Sequence, residues 1–302
     1  MLAMHETAQS AAKPPRPSVS VVMPAYNEEQ GVGLQIERIR QVMAASGCEF
    51  EIIVVDDGST DGTAGVAREH DVHLIRKRYN RGYGAALKTG IAASKCEWIL
   101  IIDADGTYPV DAIPQLLKSV PEFDMVVAAR IGKKVHIPLV RRPMKWVIGR
   151  LANYLAGQSI PDLNSGMRIF RKTLAAQFEH LLPSGFSFTT TITMALLLNE
   201  YDVLFIPIDY DKRVGFSKVR SRHVYDFLLA ILRTALCFNP LRFFLPFGLL
   251  FFLAGLIKSG FDAHRGTLSG TSAVLLLAAL IIWAVGLLSD QISRLGLATR
   301  LK

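Results

Sequence analysis

Five short runs of β-branched and other apolar residues alternate with helix-like stretches over residues 18–130. The runs are SVSVVMPA, EIIVVDD, VHLIRK, EWILIIDAD and DMVVAAR, and the helix-like stretches lie around residues 31–45, 62–69, 83–95 and 111–119. Continuous apolar runs of this length are typical of parallel strands that are buried on both faces, with helices as the crossover connections. The pattern predicts an open, mostly parallel α/β sheet with helices on both faces.

Polar segments follow three of the predicted strands directly. The first strand is followed by PAYNEE, the second by DDGSTDGT and the fourth by DADGTYP. Ligands of open α/β sheets bind at the C-terminal ends of the strands, so these segments are expected to share one rim. Each also has an ordinary explanation, because Asp, Ser and Thr cap helices and acidic residues stabilise a first helical turn. Three acidic clusters on one rim repel one another, which favours a bound cation or a hydrogen-bonding ligand.

Two familiar nucleotide-binding motifs do not account for this rim. The segment RGYGAALKTG, residues 81–90, contains G-x-G, but Leu87 stands where the dinucleotide fingerprint has its third glycine. It also follows the third predicted strand rather than the first, so it is a weak match. The phosphate-binding pattern G-x-x-x-x-G-K-[ST] does not occur in the sequence.

The net charge indicates what kind of partner the chain has, and the cysteines indicate its redox compartment. A formal net charge of +8 indicates an anionic partner, which nucleic acid, phospholipid or a phosphorylated substrate would satisfy. Cys48, Cys96 and Cys237 lie far apart without a C-x-x-C pair, which argues against a zinc site or a disulfide framework and fits a reducing compartment. Residues 1–17 are polar and contain prolines, so we expect a flexible leader rather than a signal peptide.

Two uncharged apolar segments near the C-terminus predict two transmembrane helices, at about 241–258 and 270–289. The first, 243–257, is shorter than the roughly 20 residues of a span. Arg242 and Lys258 stand at its ends and can snorkel to the membrane surface. The second, 266–289, is long enough to span a membrane without flanking residues. A buried hairpin of a soluble protein is the alternative, but both segments are apolar on all sides rather than along one stripe.

Basic residues on either side of these segments predict their orientation. Cations cluster before the first span and after the second, whereas the connecting loop has only Lys258 and Arg265. By the positive-inside rule both termini are cytosolic, at the cytoplasmic (inner) membrane. Segment 223–238 has apolar residues at helical spacing, and we expect it to lie along the inner leaflet. The basic residues accompany the membrane segments and are not interleaved with aromatic residues, so we expect no nucleic-acid partner.

Taken together, the motifs resemble those of the family 2 glycosyltransferases of the GT-A fold. More narrowly, they are similar to the polyprenyl-phosphate glycosyltransferases of the dolichol-phosphate mannose synthase and bactoprenol glucosyltransferase type. The resemblance is carried by VVMPAYNEE at 21–29, IIVVDDGSTDGT at 52–63, NRGYGAALKTG at 80–90, IDADGTYP at 102–109, NSGMRIFRK at 164–172 and RVGFSKVR at 213–220. The resemblance implies a GT-A domain at 18–220. With the segments described above, the predicted division is a leader at 1–17, this domain, an interfacial helix at 221–240, two transmembrane helices within 241–290 and a cytoplasmic tail at 291–302.

The resemblance implies a site for a nucleotide-sugar and a divalent metal, Mg²⁺ or Mn²⁺. Asp103 and Asp105 match the family's D-x-D motif, which binds the sugar nucleotide and its metal. Asp56 or Asp57 would hydrogen-bond the base or the ribose, and the sequence does not say which. The nucleotide-sugar residues carried over are Pro24, Ala25, Tyr26, Glu28, Asp56, Asp57, Gly82, Gly84, Lys88, Asp103 and Asp105. For Gly82 and Gly84, an equally good explanation is that they allow a helix to pack closely on the sheet.

The sequence departs from the family at two positions. Many relatives have Gln two residues after the second aspartate as a further metal ligand, whereas this chain has Thr107, a weaker ligand. Some bactoprenol-type members have an acidic residue, proposed as catalytic, where this chain has Met167. Asp162 is then the nearest carboxylate, so the predicted catalytic residues are Asp103, Asp105 and Asp162. Asp162 is equally well explained as a turn residue or a helix cap.

The implied reaction transfers a sugar from a nucleoside diphosphate to a polyprenyl phosphate, with inversion at the anomeric carbon. Both reactants are anionic, so cations are needed, and arginine suits bidentate phosphate contacts. The candidates for binding the lipid phosphate are Arg130, Arg168, Arg213, Ser217 and Lys218. Arg141, Arg142 and Lys145 precede the amphipathic segment WVIGRLANYLAG, and for them we favour docking on anionic lipid.

Two other functions remain open at this point. A processive polysaccharide synthase of the same fold would carry a Q-x-x-R-W signature, which does not occur here. An inactive, membrane-anchored scaffold that binds a nucleotide-sugar is compatible with Thr107 and Met167. The sequence also allows a homo-oligomer, and it does not specify the sugar, UDP or GDP as the carrier, the prenyl chain, or the envelope glycan built from the product.

Overall fold

The computed structural model describes residues 17–132, 142–210, 222–266 and 269–298, with the backbone alone at 142–145, 222–224 and 296–298. The strands are β1 Val19–Ala25, β2 Phe50–Asp56, β3 His73–Arg76, β4 Trp98–Ile101, β5 Met125–Ala129, β6 Arg168–Arg171 and β7 Val203–Pro207. The helices are α1 Val32–Ser46, α2 Thr63–Arg68, α3 Tyr83–Ala93, α4 Ile113–Lys118, α5 Arg142–Ala156, α6 Lys172–Gln177, α7 Phe188–Leu198, α8 Arg222–Phe238, α9 Pro240–His264 and α10 Gly270–Ala298.

The strands form a 7-stranded sheet in the order β3-β2-β1-β4-β6-β5-β7. Strand β6 runs antiparallel to both of its neighbours, and the other neighbouring pairs are parallel. The predicted α/β class and the five predicted strands are confirmed. Strands β6 and β7 were not predicted, and they complete the sheet beyond β4.

Helices cover both faces of the sheet, because successive residues of each strand point to opposite sides. On one face, Met23 of β1 belongs to the same buried cluster as Ile36 and Ile39 of α1. On the other face, Val22 lies in a cluster with Leu87 of α3 and with residues of α7. The C-terminal ends of β1, β2 and β4 are thereby left at one edge between two packed layers.

The two C-terminal helices form an apolar hairpin, and both are long and apolar enough to cross a membrane. Most of their apolar side chains face outward. Small residues let the two helices approach closely, since a Cβ at Gly248 would lie 2.1 Å from Nε1 of Trp283 and one at Gly255 would lie 2.8 Å from Cδ2 of Leu276. The predicted spans lie inside these helices, and α9 continues to His264, beyond the predicted end.

Helices α5 and α8 present large apolar side chains to solvent. Trp146, Tyr154 and Tyr225 are more than half exposed, and Cζ of Arg150 lies over the ring of Trp146, 5.6 Å from its centroid. Segment 223–238 is helical as predicted, because it forms most of α8. The position of both helices along the inner leaflet stays a prediction.

Gly90 marks the closest approach of α3 to the sheet. A Cβ at this position would lie 2.4 Å from Cγ1 of Val22, so Gly90→Ala is expected to reduce the free energy of unfolding by about 1–3 kcal/mol through overpacking. The matched control is Gly65→Ala in α2, where nothing lies within 4 Å. That change is expected to be neutral or to stabilise by up to about 1 kcal/mol. Thermal unfolding of the full chain in detergent compares them, and equal melting temperatures would contradict tight packing at Gly90.

Candidate functional site

The three polar segments meet at one edge of the sheet, as predicted. Ala25 is paired with Asp56 where β1 and β2 end. Beyond the strands, the backbone N–H of Asn27 donates to Oγ of Ser59 over 2.9 Å, and that of Glu28 donates to Oγ1 of Thr63 over 2.8 Å. These bonds join the segment after β1 to the segment after β2.

The residues predicted to line the nucleotide pocket divide into two groups. Pro24 and Ala25 are buried at the end of β1, so they contribute shape and backbone rather than exposed side chains. Tyr26 and Glu28 are half-buried at the rim, where their side chains can reach a ligand. The start of α1 also lies beside the D-x-D turn, because a Cβ at Gly31 would be 3.1 Å from the carbonyl oxygen of Ala104.

Asp56 and Asp57 are buried and organise the loops around them. Oδ1 of Asp56 accepts from the backbone N–H of Ser59 over 2.9 Å. Oδ2 of Asp57 accepts from the N–H groups of Arg81 and Gly82 over 3.1 and 2.7 Å, so it holds the loop between β3 and α3. The second oxygen of each carboxylate accepts no hydrogen bond, but it faces a cation: Nε of Arg76 lies 3.4 Å from Oδ2 of Asp56, and Nζ of Lys77 lies 3.3 Å from Oδ1 of Asp57. Which of the two aspartates would hydrogen-bond the base or the ribose stays open.

Gly82 and Gly84 are needed because a neighbouring loop packs closely against them. This corrects the alternative explanation that the two glycines allow a helix to pack closely on the sheet. Gly82 has φ +100°, and its Cβ would lie 2.6 Å from the carbonyl oxygen of Ser184. A Cβ at Gly84 would lie 2.2 Å from the carbonyl oxygen of Pro183. The loop 183–187 therefore packs directly on the start of α3. Lys88 lies on the outer face of α3, beside an open groove of 870 Å³ that Lys77, Arg78 and Arg81 also line.

Asp103 and Asp105 are half-buried, and each is oriented by a hydrogen bond from a side chain. The hydroxyl of Tyr83 donates to Oδ1 of Asp103 over 2.9 Å. The backbone N–H and the hydroxyl of Thr107 donate to Oδ1 of Asp105 over 3.1 and 2.6 Å. Gly166 covers Asp103 from the other side, because a Cβ there would lie 2.5 Å from Oδ2. The pair is therefore preorganised.

The predicted role of Thr107 as a metal ligand stays a prediction. This residue is 1% exposed and its hydroxyl orients Asp105. Among the residues that the structure describes, no group of three or more His, Cys, Asp or Glu side chains gathers around a cation position. Two hard carboxylates nevertheless fit Mg²⁺ or Mn²⁺, since such ions are usually held by one or two carboxylates together with phosphate oxygens and water.

Asp162 is committed to Arg130, which argues against its predicted role as a base. Its oxygens accept from Nε and Nη2 of Arg130 over 2.7 and 2.9 Å, and from the backbone N–H groups of Arg130 and Asn164. Burial works against the charge of Arg130, but Tyr108 and Asp162 raise its pKa well above the ordinary value. The ion pair is mostly buried, because the side chain of Arg130 is 22% exposed and that of Asp162 is 1% exposed.

Arg168 is enclosed in the core, which corrects its assignment to the lipid phosphate. It is fully buried, and its guanidinium donates to the carbonyl oxygens of Ser165 and Thr189 and to Oγ1 of Thr193. Burial lowers the pKa of Arg168 to about 10, so it stays charged at neutral pH. This residue ties the segment before β6 to α7 and does not reach a membrane surface.

Other predicted positions are either buried or outside the described residues. Met167 is fully buried in the core of the sheet, so an acidic residue there would have no access to a substrate in this arrangement. Of the lipid-phosphate candidates, Arg213, Ser217 and Lys218 lie outside the described residues. Of the lipid-docking cations, Arg141 does as well, and the side chains of Arg142 and Lys145 are not described.

Sequence analysis did not single out the tyrosines that surround the aspartates. Besides Tyr83, the buried Tyr108 accepts from the backbone N–H of Gly166 over 2.6 Å and lies edge-on to Tyr210, with 5.1 Å between ring centroids. Burial raises the pKa of Tyr108 well above its ordinary value, so it stays protonated. Tyr108 stands in the segment DADGTYP and Tyr83 in RGYGAALKTG, and both segments follow predicted strands, which was the available signal.

Two family models match separate parts of the chain. Residues 20–178 match the one described as glycosyl transferase family 2, which covers the acidic rim. Residues 239–295 match the one described as GtrB C-terminal hairpin, which covers α9 and nearly all of α10. The resemblance drawn from the sequence motifs is confirmed.

Curated relatives match most of the chain. The dolichyl-phosphate hexose transferase of Haloferax volcanii is 30% identical over 203 residues, 67% of this chain and 86% of that protein. The undecaprenyl-phosphate mannosyltransferase of Micrococcus luteus is 26% identical, over 72% of this chain and 94% of that protein. The undecaprenyl-phosphate 4-deoxy-4-formamido-L-arabinose transferase of Photorhabdus laumondii is 28% identical, over 92% of this chain and 89% of that protein.

Solved structures share the fold of the sheet domain. The glucosyl-3-phosphoglycerate synthase of Mycobacterium tuberculosis, in complex with Mn²⁺, UDP and phosphoglyceric acid, has a TM-score of 0.59 at 19% identity, covering 72% of this chain and 78% of that chain. The mannosyl-3-phosphoglycerate synthase of Rubrobacter xylanophilus has a TM-score of 0.56 at 22% identity, covering 72% of each chain. At these identities the likeness is one of fold, and it confirms the GT-A-like architecture.

The buried position of Arg168 predicts a loss of stability on its removal. Arg168→Met leaves the acceptors on Ser165, Thr189 and Thr193 without this donor, and we expect at least about 2 kcal/mol less free energy of unfolding. Arg171→Met, on the same strand, is the control, because Arg171 makes partly exposed ion pairs with Glu97 and Asp124. Its removal is expected to cost about 1 kcal/mol. Equal melting temperatures of the two variants would contradict the structural role of Arg168.

Proposed function

Because the chain belongs to glycosyl transferase family 2, we propose that it transfers a sugar from a UDP- or GDP-linked donor to a polyprenyl phosphate. The product is a polyprenyl-phospho-sugar for downstream glycan assembly. One observation carries this proposal: a family 2 domain and a GtrB-type hairpin stand in the same chain. The proposal is supported by relatives that match 67–92% of the chain and are named as dolichyl-phosphate or undecaprenyl-phosphate sugar transferases.

Asp103 and Asp105 are the residues that would hold a divalent cation, Mg²⁺ or Mn²⁺. When bound, the ion would neutralise the negative charge that develops on the leaving diphosphate. Tyr83 and Thr107 keep the two carboxylates oriented toward the donor by donating to one oxygen of each. A structural neighbour crystallised with Mn²⁺ and UDP supports the use of a divalent metal in this fold.

The acceptor needs no strong base from the protein. Its phosphate is already an anion at neutral pH, since second ionisations of phosphate esters fall near roughly 6. Attack by the phosphate oxygen on the anomeric carbon, with departure of the nucleoside diphosphate, inverts that carbon. The pairing of Asp162 with Arg130 is compatible with this chemistry. Arg130, together with Arg213, Ser217 and Lys218, is our proposal for binding the lipid phosphate.

We propose that the chain is a membrane protein, which the apolar hairpin and the GtrB-type match support. We place the catalytic domain and both termini in the cytosol at the inner membrane, as the flanking cations indicate. The exposed aromatic residues of α5 and α8 suit the bilayer interface, where rings with one polar end are favoured. The acceptor phosphate is presented at the same surface.

The transfer assay uses full-length protein in detergent, undecaprenyl or dolichyl phosphate, Mg²⁺ or Mn²⁺, and radiolabelled UDP- and GDP-sugars. We expect label to enter the organic phase with one donor and to stop when EDTA is added. Asp105→Asn is expected to lower kcat/KM by about 100-fold or more, as loss of a preorganised electrostatic group does. Asp111→Asn, an exposed carboxylate nearby, is the control. Transfer that persists in both EDTA and Asp105→Asn would contradict metal dependence, and no transfer with nucleotide still bound would favour a scaffold.

Gly166→Ala tests whether the position of Asp103 matters for transfer. The new methyl group would lie 2.5 Å from Oδ2 of Asp103, so the carboxylate must turn away. We expect kcat/KM to fall by about 10–100-fold, the size of effect that a displacement of roughly 1 Å produces. Thermal unfolding of the variant separates misplacement from unfolding, with Gly65→Ala as the control. Full activity in a folded Gly166→Ala protein would show that Asp103 is not needed in this position.

A further inference from the structure

Tyr83 is the side chain that connects the start of α3 to the D-x-D pair. Its phenolic O–H donates to Oδ1 of Asp103 over 2.9 Å. The two residues are 20 positions apart in the chain, so this hydrogen bond ties the first turn of α3 to the segment after β4.

Tyr83 is itself held in place by the loop 183–187. Its ring stacks on that of Phe186, with 5.6 Å between centroids and 16° between planes. The N–H of Ala85 donates to the carbonyl oxygen of Ser184 over 3.0 Å. The glycines on either side of Tyr83 allow this approach, because a side chain at either would collide with the loop backbone. The ring is thus confined by stacking, and the hydroxyl by its acceptor.

The loop 183–187 lies between Tyr83 and the helix that leads to the membrane. A groove of 320 Å³ lies between the loop and α8. Pro183, Gly185 and Ser187 line it from the loop, and Leu229 and Arg233 line it from α8. The same short segment therefore borders both the D-x-D pair, through Tyr83, and the membrane-proximal helix.

We propose that Tyr83 is a positioning residue of the donor site: its hydroxyl fixes the carboxylate of Asp103, and Phe186 fixes the ring of Tyr83. With Oδ1 bonded to Tyr83, the carboxylate plane is set and Oδ2 has a defined direction. A phenylalanine at position 83 would keep the stacking and remove this one hydrogen bond to Asp103. For its part in sugar transfer this inference rests on the proposed function, but its effect on cation binding does not.

The decisive variant is Tyr83→Phe in the full-length protein. Mn²⁺ affinity is measured from the EPR signal of free Mn²⁺ during a titration with MnCl₂, in the presence of UDP and separately of GDP. Loss of a hydrogen bond to a charged group is expected to weaken Mn²⁺ binding by about 10-fold or more. In the transfer assay, kcat/KM for the donor is expected to fall by about 10–100-fold, with the KM for polyprenyl phosphate unchanged.

Tyr201→Phe is the matched control, because the hydroxyl of Tyr201 donates to Oε1 of Gln177 over 3.0 Å, in a partly exposed position. Both variants lose one phenolic hydrogen bond, so similar small shifts in melting temperature are expected. Phe186→Leu removes the stacking partner and keeps the hydroxyl of Tyr83. It is expected to weaken Mn²⁺ binding in the same direction, since the ring of Tyr83 is no longer confined.

The outcomes separate this inference from the proposed function. Wild-type Mn²⁺ affinity and wild-type kcat/KM for the donor in Tyr83→Phe would overturn the positioning role. So would equal losses in Tyr83→Phe and Tyr201→Phe, because a general effect on stability would then explain both. If the wild type transfers no sugar to any polyprenyl phosphate, yet Tyr83→Phe alone weakens Mn²⁺ binding, the proposed function fails and the positioning role stands.

Discussion

The concentration of carboxylates at one edge of the sheet is the constraint on which the rest of the domain depends. Asp56, Asp57, Asp103 and Asp105 lie where β2 and β4 end, and unscreened carboxylates in such proximity repel one another. Each accepts at least one hydrogen bond from a neighbouring loop or side chain. The donors to Asp57 and Asp103 come from the start of α3, so these two bonds also fix that segment against the loops after β2 and β4.

A second layer, made of cations and tyrosines, supports this edge from behind. Arg168 links the segment before β6 to α7, and Arg130 pairs with Asp162. Tyr108 holds Gly166 against Asp103. Arginines near an anionic substrate suggest direct contact with phosphate, but here one is entirely structural and the other is shared with a carboxylate. Positive charge in this region therefore contributes first to the shape of the site, and only its exposed part is offered to a ligand.

The catalytic domain is attached to its membrane region through contacts on one face of the sheet. Helices α7 and α8 pack together, and Met194 and Leu197 of α7 share a buried cluster with Ile231 of α8 and with residues of α5. Helix α8 then leads into the hairpin, in which glycines allow close contact. The loop 183–187 packs against the start of α3, and it also lines the groove that separates it from α8.

Local patterns in the sequence were sufficient for the five predicted strands, the shared acidic edge and the two hairpin helices, since periodicity, turn residues and apolar length are properties of neighbouring residues. Strands β6 and β7 were missed. Strand β6 is short, carries an arginine at each end, and is stabilised by antiparallel pairing with β4 and β5, which lie far away in the chain. The sequence also did not predict which residues contact the residues of the site. Tyr83 with Asp103, Asp162 with Arg130 and Arg168 with α7 are pairings between segments that only the tertiary structure brings together, and burial then decides which charges remain accessible to a substrate.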